Sequence, residues 1–124
     1  EQICPAVGQG ALAIEIREQD ERVRRAVAPL EDSATRRAVE AERAALRELG
    51  GGCQVTIAIH AFEEDGGFKI AGVVANPESG EVLRAALSGQ LGEADELGRR
   101  LAHLLRDRGA ERILKSLQGL TAQR

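Results

Sequence analysis

Two turn signatures divide residues 55–88 into three short runs, and that punctuation constrains the fold more than any other feature of the chain. Glu63-Glu64-Asp65-Gly66-Gly67 carries Asp-Gly, the dipeptide that favours a tight hairpin turn. Asn76-Pro77-Glu78-Ser79-Gly80 combines four strong turn formers. Before the first turn, Val55, Ile57, Ile59 and Ala61 alternate with Thr56, Ala58, His60 and Phe62, so one face of a strand is apolar. Phe68 to Ala75 makes a second strand and Val82 to Ser88 a third. Short turns join them into an antiparallel meander whose apolar face has to be covered.

Helical patterns on either side supply the cover. A helix is expected from just after Asp32-Ser33 to about Leu49, with Ala38, Val39, Leu46 and Leu49 as its apolar positions and small Ala41 and Ala45 beside them. Arg36, Arg37, Glu40, Arg43, Arg47 and Glu48 cover the opposite face, and Gly50 suits the left-handed residue that ends a helix. After the meander, Ala94, Leu97, Leu101, Leu104 and Leu105 form a second stripe, closed by Gly109. A shorter helix carries Ile113, Leu114 and Leu117. The fold class is α+β, a three-stranded antiparallel sheet covered by helices.

Ahead of this unit, Val7-Gly8-Gln9-Gly10 leads into Ala11-Leu12-Ala13-Ile14-Glu15-Ile16, an apolar run that reads as a mostly buried strand. Glu18 to Leu30 follows as a charged helix, with Asp20 as its N-cap and Pro29 at its exit. A strand here has no hairpin partner, so residues 1–29 read as the remnant of another lobe and 30–124 as the domain proper. An orphaned strand is also a place for self-association.

Composition narrows the functions available. Phe62 and Phe68 are the only aromatic residues among 124, so the chain offers no platform for stacking bases. A net charge of −3 gives no attraction for a polyanion. Neither nucleic acid nor membrane is an expected partner, since no apolar run approaches the roughly 18–20 residues needed to cross a bilayer. Without the features of a secretion signal at residues 1–5, the expected location is the cytoplasm, where Cys4 and Cys53 stay reduced. The two cysteines lack neighbours at ligand spacing, so no metal site is expected.

Cys53 is the candidate for chemistry. It follows Gly50-Gly51-Gly52 between a helix and a strand. A lone cysteine beside a strand is usually a small core hydrophobe. Against that, three glycines exceed what a helix cap needs and leave the sulfur uncrowded, while polar Gln54 places the loop at a surface or in a cleft. The helix C-terminus beside it disfavours a thiolate, and Arg43 and Arg47 can offset this if they reach. The other candidates are weaker: His60 faces away from the apolar row, and His103 lies on a polar helix flank. The Glu40/Glu42 and Glu63/Glu64/Asp65 carboxylates read as solvated faces and turn acids. Val7-Gly8-Gln9-Gly10 lacks the glycines and lysine of a phosphate loop and reads as a tight turn or as backbone approaching a ligand closely.

Three separated motifs resemble hydroxymethylbilane synthase, the porphobilinogen deaminase family. Pro5-Ala6-Val7-Gly8-Gln9-Gly10-Ala11-Leu12 is similar to the family's return to its first domain. Ala41-Glu42-Arg43 resembles the helix before the attachment loop, and Gly51-Gly52-Cys53-Gln54-Val55 the loop itself. Gly98, Leu101-Ala102 and Gly109-Ala110 with Ile113-Leu114 match the closing helices. The resemblance implies a dipyrromethane cofactor on Cys53 through a thioether, with Gln9 and Gly10 lining the cleft near it. On that primer the family condenses four porphobilinogen units into the tetrapyrrole hydroxymethylbilane, losing ammonia each time. Its catalytic aspartate and most carboxylate-binding arginines belong to two lobes outside these residues, so no catalytic residue is assigned here and the chain alone is expected to be inactive. Gly50 stands where glutamate is common and Thr56 where proline is common, the latter expected to loosen the loop. The alternative is a freestanding α+β module that binds a ligand or partner without catalysis.

Overall fold

A computed structural model describes residues 3–50 and 56–121. Helix α1 spans Glu21–Val27 and runs into a single 3₁₀ turn at Ala28–Leu30. Helix α2 spans Ser33–Leu49, strands β1, β2 and β3 span Ile57–Glu64, Gly67–Ala75 and Val82–Gln90, and helices α3 and α4 span Ala94–Asp107 and Ala110–Thr121. The strands form one antiparallel sheet in the order β1-β2-β3. Asp65 and Gly66 both take positive φ, 52° and 75°, as a two-residue hairpin turn requires.

The register sorts side chains onto two faces. Ile59 lies opposite Gly72, which lies opposite Ala85, and Ala61, Ile70 and Leu87 form the next row. With Phe68 and Val74 these residues face α2 and α3, and Leu97, Leu101, Leu105 and Ile113 close the core above them. Helix α2 lies over β1, and α3 lies over β2 and β3. The small residues of the two helices allow a close crossing: a Cβ added at Gly98 would lie 2.2 Å from the Ala41 carbonyl oxygen. Glycine at that contact sets how near α3 can approach α2.

The expected meander, covering helices and caps are all present. Asp32 caps α2 by accepting from the Thr35 N–H at 2.7 Å, and Gly50 ends it with φ 71°. The structure departs from expectation at the N-terminus. Residues 11–17 form neither strand nor helix, and Leu12 is 97% exposed and Ile14 56%. A short apolar run becomes a strand only when another backbone supplies its hydrogen bonds, and none of the described residues does so. The expected helix over 18–30 is shorter, beginning at Glu21 with Asp20 accepting from the Val23 N–H at 3.0 Å.

Candidate functional site

The residues on either side of the candidate loop are well anchored. On one side α2 buries Ala41, Ala44, Ala45 and Leu49 and stops at Gly50, which has open space around its Cα. On the other, Thr56 enters β1. Its hydroxyl donates to the Ala75 carbonyl, and its own carbonyl accepts from the Ala75 N–H at 3.0 Å. These two bonds join Thr56 to the last residue of β2. Cys53 itself, with Gly51, Gly52, Gln54 and Val55, lies outside the described residues.

About two turns before the end of α2 stands Glu42, expected on a solvated face. It is instead buried, its side chain 6% exposed. Helical spacing puts it on the same face as Ala38, Ala45 and Leu49, where neighbouring alanines leave room for a long side chain. One carboxylate oxygen accepts from the Gly8 N–H at 2.7 Å, and the other from the Ala61 N–H at 2.8 Å. A buried carboxylate needs such partners, because desolvation of an unsatisfied charge is far more costly than that of a hydrogen-bonded one. The Ala61 N–H belongs to the outer edge of β1, so Glu42 occupies a position that a further strand would otherwise take.

Gly8 belongs to a pair of consecutive turns. The Gln9 N–H donates to the Ala6 carbonyl at 3.0 Å, the Ala6 N–H donates to the Gln9 side-chain oxygen at 2.9 Å, and the Ala11 N–H donates to the Gly8 carbonyl at 3.1 Å. Gly8 and Gly10 have φ 70° and 87°, which favours glycine at both. Gln9 and Gly10 are exposed. Beyond them an open cleft of about 850 Å3 runs between residues 8–16, α1 and α2, with Leu12, Ile14, Val39, Arg36 and Arg43 among its lining. Arg36 is taken up by Glu31 at 2.6 Å, and this contact lowers the Glu31 carboxyl below its usual range. Gly8 and Gly10 line this cleft, whose other wall includes Arg36, Val39 and Arg43 of α2; Gln9 is not among its lining, and its side-chain oxygen is held by the Ala6 N–H.

The two histidines lie where the sequence placed them, whereas Glu63, expected as a turn acid, belongs to β1. His60 stacks on Phe62, with ring centroids 5.4 Å apart, on the sheet face away from the helices; its Nδ1 is 3.7 Å from Glu42. His103 is exposed beside Glu48. Glu63 pairs with Arg37 at 2.6 Å across the gap between β1 and α2. Among the described residues no group of three His, Cys, Asp or Glu could hold a metal ion, and no helix is long and apolar enough to cross a membrane. Glu42 is the residue that sequence reasoning missed. The signal was its place on the small apolar face of α2, which its charge overrode.

Comparisons with known proteins agree with the motif reading. The family described as "Porphobilinogen deaminase, C-terminal domain" matches residues 36–107, from the first turns of α2 to the end of α3. A porphobilinogen deaminase of Syntrophotalea carbinolica is 45% identical over 91% of this chain and 36% of its own length. Those of Syntrophobacter fumaroxidans and Moorella thermoacetica are each 47% identical, over 91% and 94% of this chain and 37% of their own lengths. The chain therefore spans little more than a third of the relatives it matches. It belongs to the porphobilinogen deaminase family and carries that family's C-terminal domain.

Proposed function

We propose that this chain is the cofactor-carrying part of an enzyme of tetrapyrrole biosynthesis, with Cys53 as the attachment point for dipyrromethane. In this reading residues 30–124 form the anchoring domain, and residues 1–29 belong with the first lobe and the crossover from it. The observation that carries the reading is the family match through α2 and β1, the two elements that bracket the Cys53 loop. The surroundings described fit a bulky group: Gly50 stands in open space, and the cleft beside α2 opens at Gly8 and Gly10. The dipyrromethane supplies the primer on which porphobilinogen units are joined.

This chain's own residues tether and position. The Cys53 sulfur gives up its proton when the thioether forms and thereafter acts as an anchor, not as a turnover nucleophile. Gly10 offers backbone groups at the cleft, and exposed Gln9 beside it carries an amide. No acid or carboxylate clamp is assigned within the chain, so the isolated protein does not condense porphobilinogen, and the expected location is the cytoplasm.

The test is an intact mass measurement after co-expression with the N-terminal two-thirds of the Syntrophobacter relative. A dipyrromethane adduct on Cys53, absent from Cys53→Ser, is the expected result. An unmodified Cys53 in a complex that forms would refute the anchoring role and leave a binding module as the better reading. Porphobilinogen consumption at enzyme-like rates by the isolated chain would refute its inactivity.

A further inference from the structure

Glu42 joins residues 5–20 to the helix–sheet body. Between residues 5–20 and the helix–sheet body beyond residue 30, its contact with the Gly8 N–H is the only hydrogen bond among the described residues. Val7 adds apolar packing against the core. The other carboxylate oxygen holds Ala61, well inside β1. Both acceptors are thus committed to backbone donors that lie 34 and 19 residues away in sequence. The described residues place no Lys or Arg against the carboxylate; the cationic candidate nearest to it is half-exposed His60.

From this geometry we infer that Glu42 is a positioning residue: its carboxylate latches the turn carrying Gln9 and Gly10 onto the edge of β1. The inference rests on the reading above for why this position matters, because the latch holds one wall of the cleft in register with the domain that bears Cys53. Glutamate suits the task for two reasons. Its length spans from an alanine-lined helix face to the strand edge, and its ionised form offers two acceptors and no donor, matching two N–H groups. A glutamine of the same shape would turn an NH2 group toward one of them.

Residue-resolved amide exchange on the whole 124-residue chain tests the latch without porphobilinogen, so its outcome is separate from that of the adduct experiment. Glu42→Met removes both acceptors. The expected result is exchange at Gly8 accelerated at least about tenfold, the scale of one charge-assisted hydrogen bond, with Phe68 and Ile70 in the central strand unchanged. Nitroxide labels at Gln9→Cys and Arg100→Cys, in a Cys4→Ser, Cys53→Ser background, read position directly. Their distance distribution should broaden when Glu42 is replaced. Wild-type exchange at Gly8 and an unchanged distribution would overturn the proposal. If Glu42→Met does not fold, Glu42→Gln decides: it should expose Gly8 or Ala61 to faster exchange, and wild-type protection at both would overturn the latch.

Discussion

Gly98→Ala probes the closest helix contact in the fold, and its sign separates two opposing effects. In a free helix, alanine is more favourable than glycine by about 1 kcal/mol. At Gly98 the new Cβ would meet the Ala41 carbonyl oxygen at 2.2 Å, the Ala41 carbonyl carbon at 3.0 Å and the Ala44 Cβ at 3.2 Å. The first two are backbone atoms in the middle of α2 and cannot rotate away. To restore ordinary contact, α3 has to withdraw by about 1 Å, loosening Leu101 and Leu105, which are fully buried beneath it. Overpacking of a well-packed site costs typically about 1–3 kcal/mol, and a clash with fixed backbone belongs at the upper end. The net expectation is a loss of about 1–2 kcal/mol, which lowers the melting temperature by about 4–10 °C for a domain of this size. Urea titration followed by far-UV circular dichroism measures the loss, with the m-value checking that unfolding stays two-state. A variant as stable as wild type or more so would show that propensity wins and that the two helices do not approach this closely.

Two further expectations concern the exposed parts of the chain. The Thr35 N–H holds the Asp32 carboxyl below its ordinary value of 3.8. A depressed folded-state value means stability that is present above the unfolded value and is lost as pH falls through the folded one. Asp32→Ala should therefore lower the melting temperature at neutral pH, and the gap to wild type should narrow as pH drops below the ordinary aspartate range. A gap that does not change with pH would refute the capping account. Leu12 and Ile14 are exposed and outside any sheet, so Leu12→Asp with Ile14→Lys should leave the melting temperature within about 1 °C of wild type, as surface changes usually do. The same pair should also reduce any association that light scattering detects at high concentration. A large destabilisation would show that the run is packed after all.

The parts of the fold that sequence disclosed are those in which a residue's role is settled by its near neighbours. Asp65-Gly66 demands a tight turn wherever it occurs between two alternating runs, and Asp32 and Gly50 mark the ends of α2 through their own backbone preferences. The run Ala11 to Ile16 failed because a strand is a relation between two backbones. A short apolar run announces readiness to pair, but the partner is not written in the segment that needs it. Glu42 failed for the complementary reason. Periodicity does place it on the face shared by Ala38, Ala45 and Leu49, and a carboxylate there is ordinarily read as an intrusion from the solvated side. Two N–H groups distant in sequence, Gly8 and Ala61, convert that intrusion into a satisfied buried acceptor. A buried charge can therefore be anticipated only when its donors can be, and edge strands with unfilled N–H groups are where such donors arise. The same argument accounts for Glu42 meeting β1 at Ala61, within the edge strand that begins at Ile57. The segment that leaves the loop enters an edge strand, and an edge strand needs something other than a neighbour to complete it.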